Sequence, residues 1–393
     1  MNNSTNKETL VETSSVNQTN IDEIKLTHLD KDFIYELMAI PTVSNAEYRL
    51  VTFIILWARR NNIKYEFDDY GNVYLTKGEV KDEEFFPCVT AHLDTVQHKQ
   101  KVYAQAGQKL EIKTRICKGK HEIYVDGMGI GGDDKAGVLI ALSMFKHLDK
   151  LKACFFLEEE VGCKGSNNMN VKWFENVGYV IGYDSPDLNR AAWACSGTKL
   201  FDKNFFQTYI QDICKKHGLT DFRSEPFTDV KIIREKTDII CMNFGSGYYN
   251  CHTPNEYCVI EDMDQACRMG HDIITHLGNS RYELKHEALP TRWYQGQYNN
   301  QAYDKDETFF DSLRPKTTYT TSSATTTSQA NSQTSKANTT KDDAKISRET
   351  AEYIIDTYEK YIQIIHEQVN NTCKANNIDP KIFEEVFNKD IKF

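Results

Sequence analysis

The sequence lacks the patterns of several large protein classes. Its eleven cysteines include no Cys-x-x-Cys pair, which argues against a disulfide scaffold or a zinc ribbon and favours a reducing compartment. No apolar run approaches the roughly 18–20 residues of a membrane span, and the first residues lack the pattern of a signal peptide. The net charge of −10 disfavours a general nucleic-acid binder. We therefore expect a cytoplasmic protein that binds neither nucleic acid nor membranes.

Composition divides the 393 residues into four segments. Residues 1–21 are rich in Asn, Ser and Thr and predict a disordered N-terminus. Residues 22–312 predict one folded body. Residues 313–345 predict a flexible linker, because 15 of the 24 residues from Thr317 to Thr340 are Ser or Thr. Residues 346–393 predict a helical tail.

The predicted tail carries apolar side chains at helical spacing, among them Ile354, Tyr358 and Ile362. This face would be exposed on a helix that stood alone. We therefore expect the C-terminal helix to pack on the body, on a second copy of the chain in a homo-oligomer, or on a partner protein.

Short apolar runs alternate with helical periodicity inside the body. Helices are predicted over residues 30–39, 47–61 and 135–147. Strands are predicted over residues 64–67 and 73–76, joined as a hairpin by the turn residues 69–72. Further strands are predicted over residues 87–92, 123–125, 153–157, 179–183 and 239–244. This alternation predicts an α/β fold with helices on both faces of a central sheet. In such sheets, ligands collect at the carboxyl ends of the strands.

Imidazole or carboxylate side chains follow five of the predicted strands. These side chains belong to His92 and Asp94, to Asp133, to Glu158, Glu159 and Glu160, to Asp184, and to His252. Carboxylates that converge on one rim would repel each other unless a cation lay between them. Two histidines with several carboxylates suit zinc, with manganese or cobalt as alternatives. Five ligands fit two metal ions with one bridging carboxylate better than a single ion.

Six motifs in this order resemble one known clan. They are residues 36–44 (ELMAIPTVS), 69–73 (DYGNV), 91–96 (AHLDTV), 131–137 (GGDDKAG), 159–162 (EEVG) and 251–256 (CHTPNE). The sequence resembles the co-catalytic two-metal, or dizinc, exopeptidases, including peptidase T, dipeptidases and the tetrahedral aminopeptidases. The resemblance implies a mixed, mostly parallel central sheet in a single catalytic domain, and hydrolysis of short peptides.

The resemblance also implies a role for each residue of the site. His92, Asp133, Glu160, Asp184 and His252 would bind two divalent metal ions, zinc before manganese or cobalt, with Asp133 bridging them. Asp94 would hold the imidazole of His92. Glu159 would be the general base, taking a proton from the metal-activated water and donating it to the leaving amine.

The chain departs from many relatives in having no room for an inserted lid or dimerisation domain. Only 41 positions separate His92 from Asp133, and 68 separate Asp184 from His252. An aspartate at position 184 favours, by resemblance, an aminopeptidase or a di- or tripeptidase over a carboxypeptidase or deacylase. Substrate choice is otherwise weakly constrained.

Three other interpretations remain open from the sequence. Residues 127–132 contain Gly-x-Gly-x-x-Gly, as in dinucleotide-binding loops, but Asp133 and Asp134 would repel a pyrophosphate there. The enzyme could instead be an amidase or deacylase acting on N-acyl amino acids. The body could also be a non-catalytic adaptor that works through its C-terminal tail.

Overall fold

The computed structural model describes residues 24–284 and 305–314. Its strands are β1 (Lys64–Phe67), β2 (Val73–Lys77), β3 (Phe86–His92), β4 (Lys113–Cys117), β5 (Lys120–Tyr124), β6 (Leu151–Phe156), β7 (Val177–Ser185), β8 (Arg190–Cys195), β9 (Thr198–Lys199), β10 (Asp221–Glu225), β11 (Cys241–Gly245), β12 (Tyr248–Tyr249) and β13 (Tyr257–Val259). Its α-helices are α1 (Lys31–Met38), α2 (Tyr48–Arg60), α3 (Gln100–Gln105), α4 (Gly132–His147), α5 (Lys164–Asn167), α6 (Lys203–Phe205), α7 (Gln211–Lys216), α8 (Asp229–Thr237), α9 (Ile260–Leu277) and α10 (Lys305–Leu313). A 3₁₀ helix spans Val171–Phe174, and a π-helix spans Phe206–Ile210.

The central sheet has the strand order β1-β2-β6-β3-β7-β11-β8-β10, and β9 pairs with β8. Its middle strands β6, β3, β7 and β11 are mutually parallel, whereas β1, β2 and β8 introduce antiparallel pairs. A second, antiparallel sheet has the order β12-β13-β5-β4. The fold class is therefore the predicted one: mixed α/β with a mostly parallel central sheet.

Helices cover both faces of the central sheet, as β7 illustrates. Tyr183 points toward Gly270 of α9 and Met144 of α4, whereas Gly182, the preceding residue, faces Val230 of α8. Because successive strand residues point to opposite faces, α4 and α9 lie on one face and α8 on the other. The middle strands are buried along nearly their whole length, which explains their continuous apolar runs.

The predicted elements are found close to their expected positions. The first two helices begin and end within one residue of the predicted bounds. The hairpin of β1 and β2 turns over residues 68–72, where Asp68 accepts hydrogen bonds from the backbone N–H groups of Tyr70, Gly71 and Asn72. This local chemistry made the hairpin readable from sequence.

One expectation about the sheet is wrong. The strand predicted over residues 123–125 overlaps the end of β5, which belongs to the small antiparallel sheet and not to the central one. His252 likewise follows β12 of the small sheet, a few residues after β11. A short apolar run has the same sequence pattern in either sheet, because the pattern shows that a strand is buried but not which strands it pairs with.

The helix α10 returns the chain to the body after the residues that are not described. Phe310 is fully buried, and its ring lies 5.0 Å from that of Trp193 and within 6 Å of the rings of Phe201, Phe206 and Phe222. The predicted N-terminal segment, nearly all of the predicted linker, and the predicted tail lie outside the described residues. Their boundaries and the docking of the tail stay predictions.

Among the described residues, no helix combines the length and apolar character needed to cross a membrane.

Candidate metal centre

Four of the predicted site residues lie at the carboxyl ends of three parallel central strands. His92 is the last residue of β3, and it pairs in register with Phe156 at the end of β6. Glu159 and Glu160 follow β6 after two further residues, and Asp184 lies near the end of β7. Because these strands run in the same direction side by side, their ends deliver the four side chains to one edge of the sheet.

Asp133 reaches the same place from the start of α4. The backbone of Asp133 and Asp134 is not helical, so regular helix begins at Lys135, as the sequence predicted. The buried Asp134 carboxylate accepts hydrogen bonds from the backbone N–H of Gly137 at 3.0 Å and of His92 at 3.2 Å. Asp134 thus caps the helix and ties it to β3, which directs Asp133 toward the histidine.

The carboxylate of Asp133 lies between the two predicted histidine ligands. Its Oδ1 is 3.2 Å from Nε2 of His92, and its Oδ2 is 3.1 Å from Nε2 of His252. Nε2 of His252 is also 3.1 Å from Oε1 of Glu160, and Nε2 of His92 is 3.7 Å from Oδ1 of Asp184. Each oxygen of Asp133 therefore faces a different imidazole, and each imidazole faces a second carboxylate.

Two compact groups of ligand atoms occur among the described residues. One contains His92, Asp133 and Glu160, and the other contains His92, Glu159 and Asp184; within each group the ligand atoms lie within 4.8 Å of one another. His252 belongs to neither group but contacts Asp133 and Glu160. All seven predicted site residues are therefore brought together, whereas their individual roles stay predictions.

The charges at this site favour cation binding. The hydrogen bonds from His252 and His92 hold the pKa of the Asp133 carboxyl well below its usual range, although burial opposes ionisation. Hydrogen bonds to Asp133 and Glu160 raise the pKa of His252 to about 10. Four carboxyl groups face two imidazoles, so a proton or a metal cation is strongly attracted here. The donor set of imidazole nitrogen and carboxylate oxygen fits a divalent metal ion.

Asp94 connects the histidine to both glutamates. Its Oδ1 is 3.4 Å from Nδ1 of His92, although its backbone carbonyl is closer at 3.0 Å. The same carboxylate accepts hydrogen bonds from the backbone N–H groups of Glu159 at 2.9 Å and Glu160 at 3.2 Å. Ser44 donates to it at 2.7 Å. One buried side chain thus fixes the orientation of His92 and the turn that carries both glutamates.

Several supporting residues were not identified from the sequence. The Glu256 carboxylate accepts hydrogen bonds from the backbone N–H of Gly131 at 2.7 Å and of Asp133 at 3.0 Å, and so shapes the glycine-rich loop. Asn243 of β11 donates to the backbone carbonyl of Asp184 and accepts from its N–H. Glu256 lies in the same hexapeptide as His252, so its position was a usable signal. Asn243 gave no such signal in the sequence, since an asparagine at the end of a strand can serve many structural roles.

The hairpin turn also supports the site. The buried Asn72 side chain accepts a hydrogen bond from the N–H of Leu157 at 3.1 Å and donates to the carbonyl of Gly165 at 2.9 Å. These contacts hold both sides of the segment that contains Glu159 and Glu160. The hairpin therefore helps to position the carboxylates of Glu159 and Glu160, although it lies far from them in the sequence.

The fold and the site together define a mixed α/β protein with a histidine–carboxylate cluster whose donor atoms suit a divalent cation. Residues 88–276 match the model of peptidase family M20/M25/M40. This segment is therefore a peptidase domain of the M20 type, and the predicted resemblance to the two-metal exopeptidases is confirmed.

Individual relatives agree with this assignment. The chain is 25% identical over 179 residues to the cytosol non-specific dipeptidase of Escherichia coli K12, a match that covers 44% of this chain and 36% of that protein. The match thus spans about a third of the length of the curated relative. The structure of aminopeptidase PepT from Bacillus cereus aligns with a TM-score of 0.50 at 14% identity, covering 64% of this chain and 100% of that one. A tripeptidase from Staphylococcus aureus gives a TM-score of 0.50 at 14% identity, over 63% and 98% of the two chains. These structures share the fold.

Proposed function

We propose that the protein is a metal-dependent exopeptidase, an aminopeptidase or a di- or tripeptidase, that hydrolyses short peptides. The observation that carries the proposal is the Asp133 carboxylate, whose two oxygens face the imidazoles of His92 and His252. This is the arrangement that a bridging ligand of two cations requires. The peptidase names of the relatives and the aspartate at position 184 support the choice of substrate class.

In this proposal His92, Asp133 and Asp184 hold one divalent ion, and His252, Asp133 and Glu160 hold the other. Zinc is the ion that the ligand set fits best, with manganese or cobalt as alternatives. When bound, the ions would activate water and polarise the scissile carbonyl. Asp94 keeps His92 and the two glutamates in position for this work.

Glu159 is the proposed general base. Burial and the neighbouring Asp184 raise its pKa to about 9 in the protein without a cation. At that pKa the carboxyl group already carries a proton at neutral pH, and only its ionised form can accept one from the attacking water and then donate it to the leaving amine. Cations at the site would lower that pKa toward the working range, since positive charge favours the carboxylate.

Glu159→Gln tests the base assignment. Cleavage of leucine p-nitroanilide should fall by about 10²- to 10⁴-fold, because the amide cannot accept the proton, while metal content by elemental mass spectrometry stays unchanged. Glu158→Gln is the matched control, since its carboxylate contacts Tyr70 and Lys164 instead. Loss of metal in Glu159→Gln would instead make Glu159 a ligand, in the group with His92 and Asp184. Retained activity would remove Glu159 from the mechanism.

The substrate class needs a separate comparison. Free-amine leucine or alanine p-nitroanilide and short peptides should be cleaved well, whereas their N-acetyl counterparts should not. Preference for the N-acyl compounds would favour the amidase or deacylase alternative. No turnover with any metal would favour the adaptor alternative.

We also propose a cytoplasmic location. The cysteines within the described residues are free, which suits a reducing compartment, and the E. coli relative is named as a cytosol protein.

A further inference from the structure

Three histidines from separate parts of the chain meet on the surface far from the candidate metal centre. His28 precedes α1, His147 is the last residue of α4, and His271 lies in α9. Their ring centroids are 4.7, 5.1 and 6.1 Å apart. Since Asp133 lies in the first turn of α4 and His147 at its end, the helical rise separates the two sites by about 20 Å.

The spacing of the three rings matches a shared metal ion. An imidazole nitrogen binds zinc at about 2.0–2.1 Å with tetrahedral angles, which places the centroids of two ligating rings about 5 Å apart. The three observed separations bracket this value. Plain packing of aromatic rings would also allow them, so the hydrogen bonds of the rings decide between the two.

Hydrogen bonds leave one nitrogen of His28 free to act as a ligand. The hydroxyl of Thr27 donates to Oδ2 of Asp264 at 2.9 Å, so its oxygen accepts from Nδ1 of His28 at 3.0 Å. The proton of His28 therefore lies on Nδ1, and its Nε2 keeps a lone pair. A partner that fixes the tautomer in this way is typical of metal-ligating histidines.

The same logic applies to His147. Its Nε2 is 2.9 Å from the backbone carbonyl of His28, an acceptor only, so Nε2 carries the proton. Nδ1 of His147 is then the nitrogen with the lone pair. Two of the three rings thus have their donor side engaged by the protein and their acceptor side available.

The surroundings favour the neutral rings that metals bind. Burial first, and then the neighbouring histidines, lower the pKa of His28 and of His271. Among the charged groups nearby, Asp264 raises the pKa of His28 and Arg268 lowers it, whereas Asp272 raises the pKa of His271. The rings are only partly covered or exposed, so an ion can enter from solvent.

Binding also requires the rings to turn. Among the described residues, the groups whose ligand atoms already lie within 4.8 Å of one another belong to the candidate metal centre. Side-chain rotation would therefore have to bring the nitrogens of His28, His147 and His271 together, and the hydrogen-bond partners of His28 and His147 would have to follow the turned rings.

We propose that His28, His147 and His271 bind one divalent transition-metal ion such as zinc, at an accessory site separate from the candidate metal centre. The ion would join the segment before α1 to the end of α4 and to α9. Three protein ligands would leave one coordination position for solvent. The site would link three segments of the chain and would not need to take part in peptide hydrolysis.

Titration of the full-length protein with Zn²⁺ by calorimetry tests the proposal. The wild type and the control His276→Ala, an exposed histidine on the same helix, should bind one equivalent more than His271→Ala. His147→Gln should lose the same equivalent. Cleavage of leucine p-nitroanilide by each variant reports separately on the candidate metal centre. Equal stoichiometry in all four proteins would overturn the accessory site.

A footprint on the unaltered chain removes any dependence on the folding of a variant. Diethyl pyrocarbonate modifies free imidazole nitrogens, and mass spectrometry locates the modified residues. Zn²⁺ should protect His28, His147 and His271 and leave His276 reactive. Equal modification of the triad with and without Zn²⁺ would contradict the proposal, whatever the metal content of the candidate metal centre.

Discussion

At the scale of single residues, carboxylates that serve as acceptors for the backbone determine how the site is built. Asp94, Asp134 and Glu256 accept hydrogen bonds from the backbone N–H groups of three proposed ligands, which are Glu160, His92 and Asp133, respectively. Their burial would be costly without those hydrogen bonds. The proposed ligands thus depend on a layer of acids that need not touch a substrate.

Asp94→Asn should separate this supporting role from the fold. The amide has the same shape, but it keeps only one acceptor oxygen, so it cannot accept hydrogen bonds at both positions, where Oδ1 now accepts from Glu159 and Oδ2 from Glu160. We expect metal affinity or kcat/KM to fall about 10- to 100-fold, as for other groups that orient metal ligands. Metal content at limiting zinc and steady-state kinetics measure the two effects. Asp212→Asn is the control, with a side chain that is 98% exposed; an Asp94 variant that behaves like it would contradict the role.

The clustering of the candidate site residues was predictable because their motifs are local. His92 and Asp94, Asp133 and Asp134, and Glu159 and Glu160 lie within short stretches that end strands or begin a helix. The partners that hold them were not predictable, because Asn72 and Asn243 approach through folding from distant parts of the chain. A pairing between remote segments leaves no periodicity in a single sequence.

At the scale of elements, β6 is tied to the 3₁₀ helix by a buried lysine. Nζ of Lys152 donates to the carbonyl of Trp173 at 2.6 Å and to Oδ1 of Asn176 at 2.7 Å, and lies 3.9 Å from the Trp173 ring centroid. Burial lowers the pKa of this lysine to about 8. Its hydrogen bonds and the ring hold an ammonium group that burial disfavours.

This lysine predicts a pH dependence of stability. Between pH 8 and about 10.4 the folded protein loses the Lys152 proton, whereas the unfolded chain keeps it. The unfolded state then binds more protons, so the contribution of Lys152 to the free energy of unfolding rises with pH in this window and is flat below it. Urea unfolding at several pH values should show this rise for wild type relative to Lys152→Met. Lys172→Met, at an exposed position of the 3₁₀ helix, should follow the wild type; a parallel course for Lys152→Met would contradict the assignment.

Helices and strands were predicted well where the periodicity of apolar residues is strong. The assignment of a strand to one sheet or the other was predicted poorly. The helix from Lys135 and the hairpin of β1 and β2 follow directly from spacing and turn residues. The small sheet was missed because its strands are short and because β5 pairs with β13, which lies 133 to 137 positions further along the sequence. Tertiary packing determines such pairing between distant segments, and the β-propensity of individual residues does not predict it.

At the scale of the whole molecule, α10 packs against the edge of the central sheet, although it lies beyond the described residues 24–284 in the sequence. Phe310 fills an aromatic cluster at the β8 and β10 edge of the central sheet. Lys199 and Asp306 add an ion pair at 2.5 Å beside it. Residues 305–314 therefore belong to the same core as the peptidase domain.

Phe310→Ala tests how far the body depends on this helix. Removing a fully buried ring should lower the free energy of unfolding by about 3–5 kcal/mol, measured by urea denaturation. Phe227→Ala, with a residue that is 67% exposed, should change it by about 0.5 kcal/mol or less. If the Phe310 variant unfolded at the same urea concentration as wild type, α10 would not be part of the cooperative unit.

The division of the proposed ligands between two sheets has a further consequence. His92, Glu160 and Asp184 come from the ends of central strands, whereas His252 comes from the loop between two strands of the small sheet, and Asp133 follows β5 of that sheet. Bound cations would therefore fasten one sheet to the other, in addition to the packing of the small sheet on α4. A chelator that removed the cations would therefore have two effects at once. It would inhibit the proposed peptidase activity, and it would loosen the attachment of the small sheet to the central sheet.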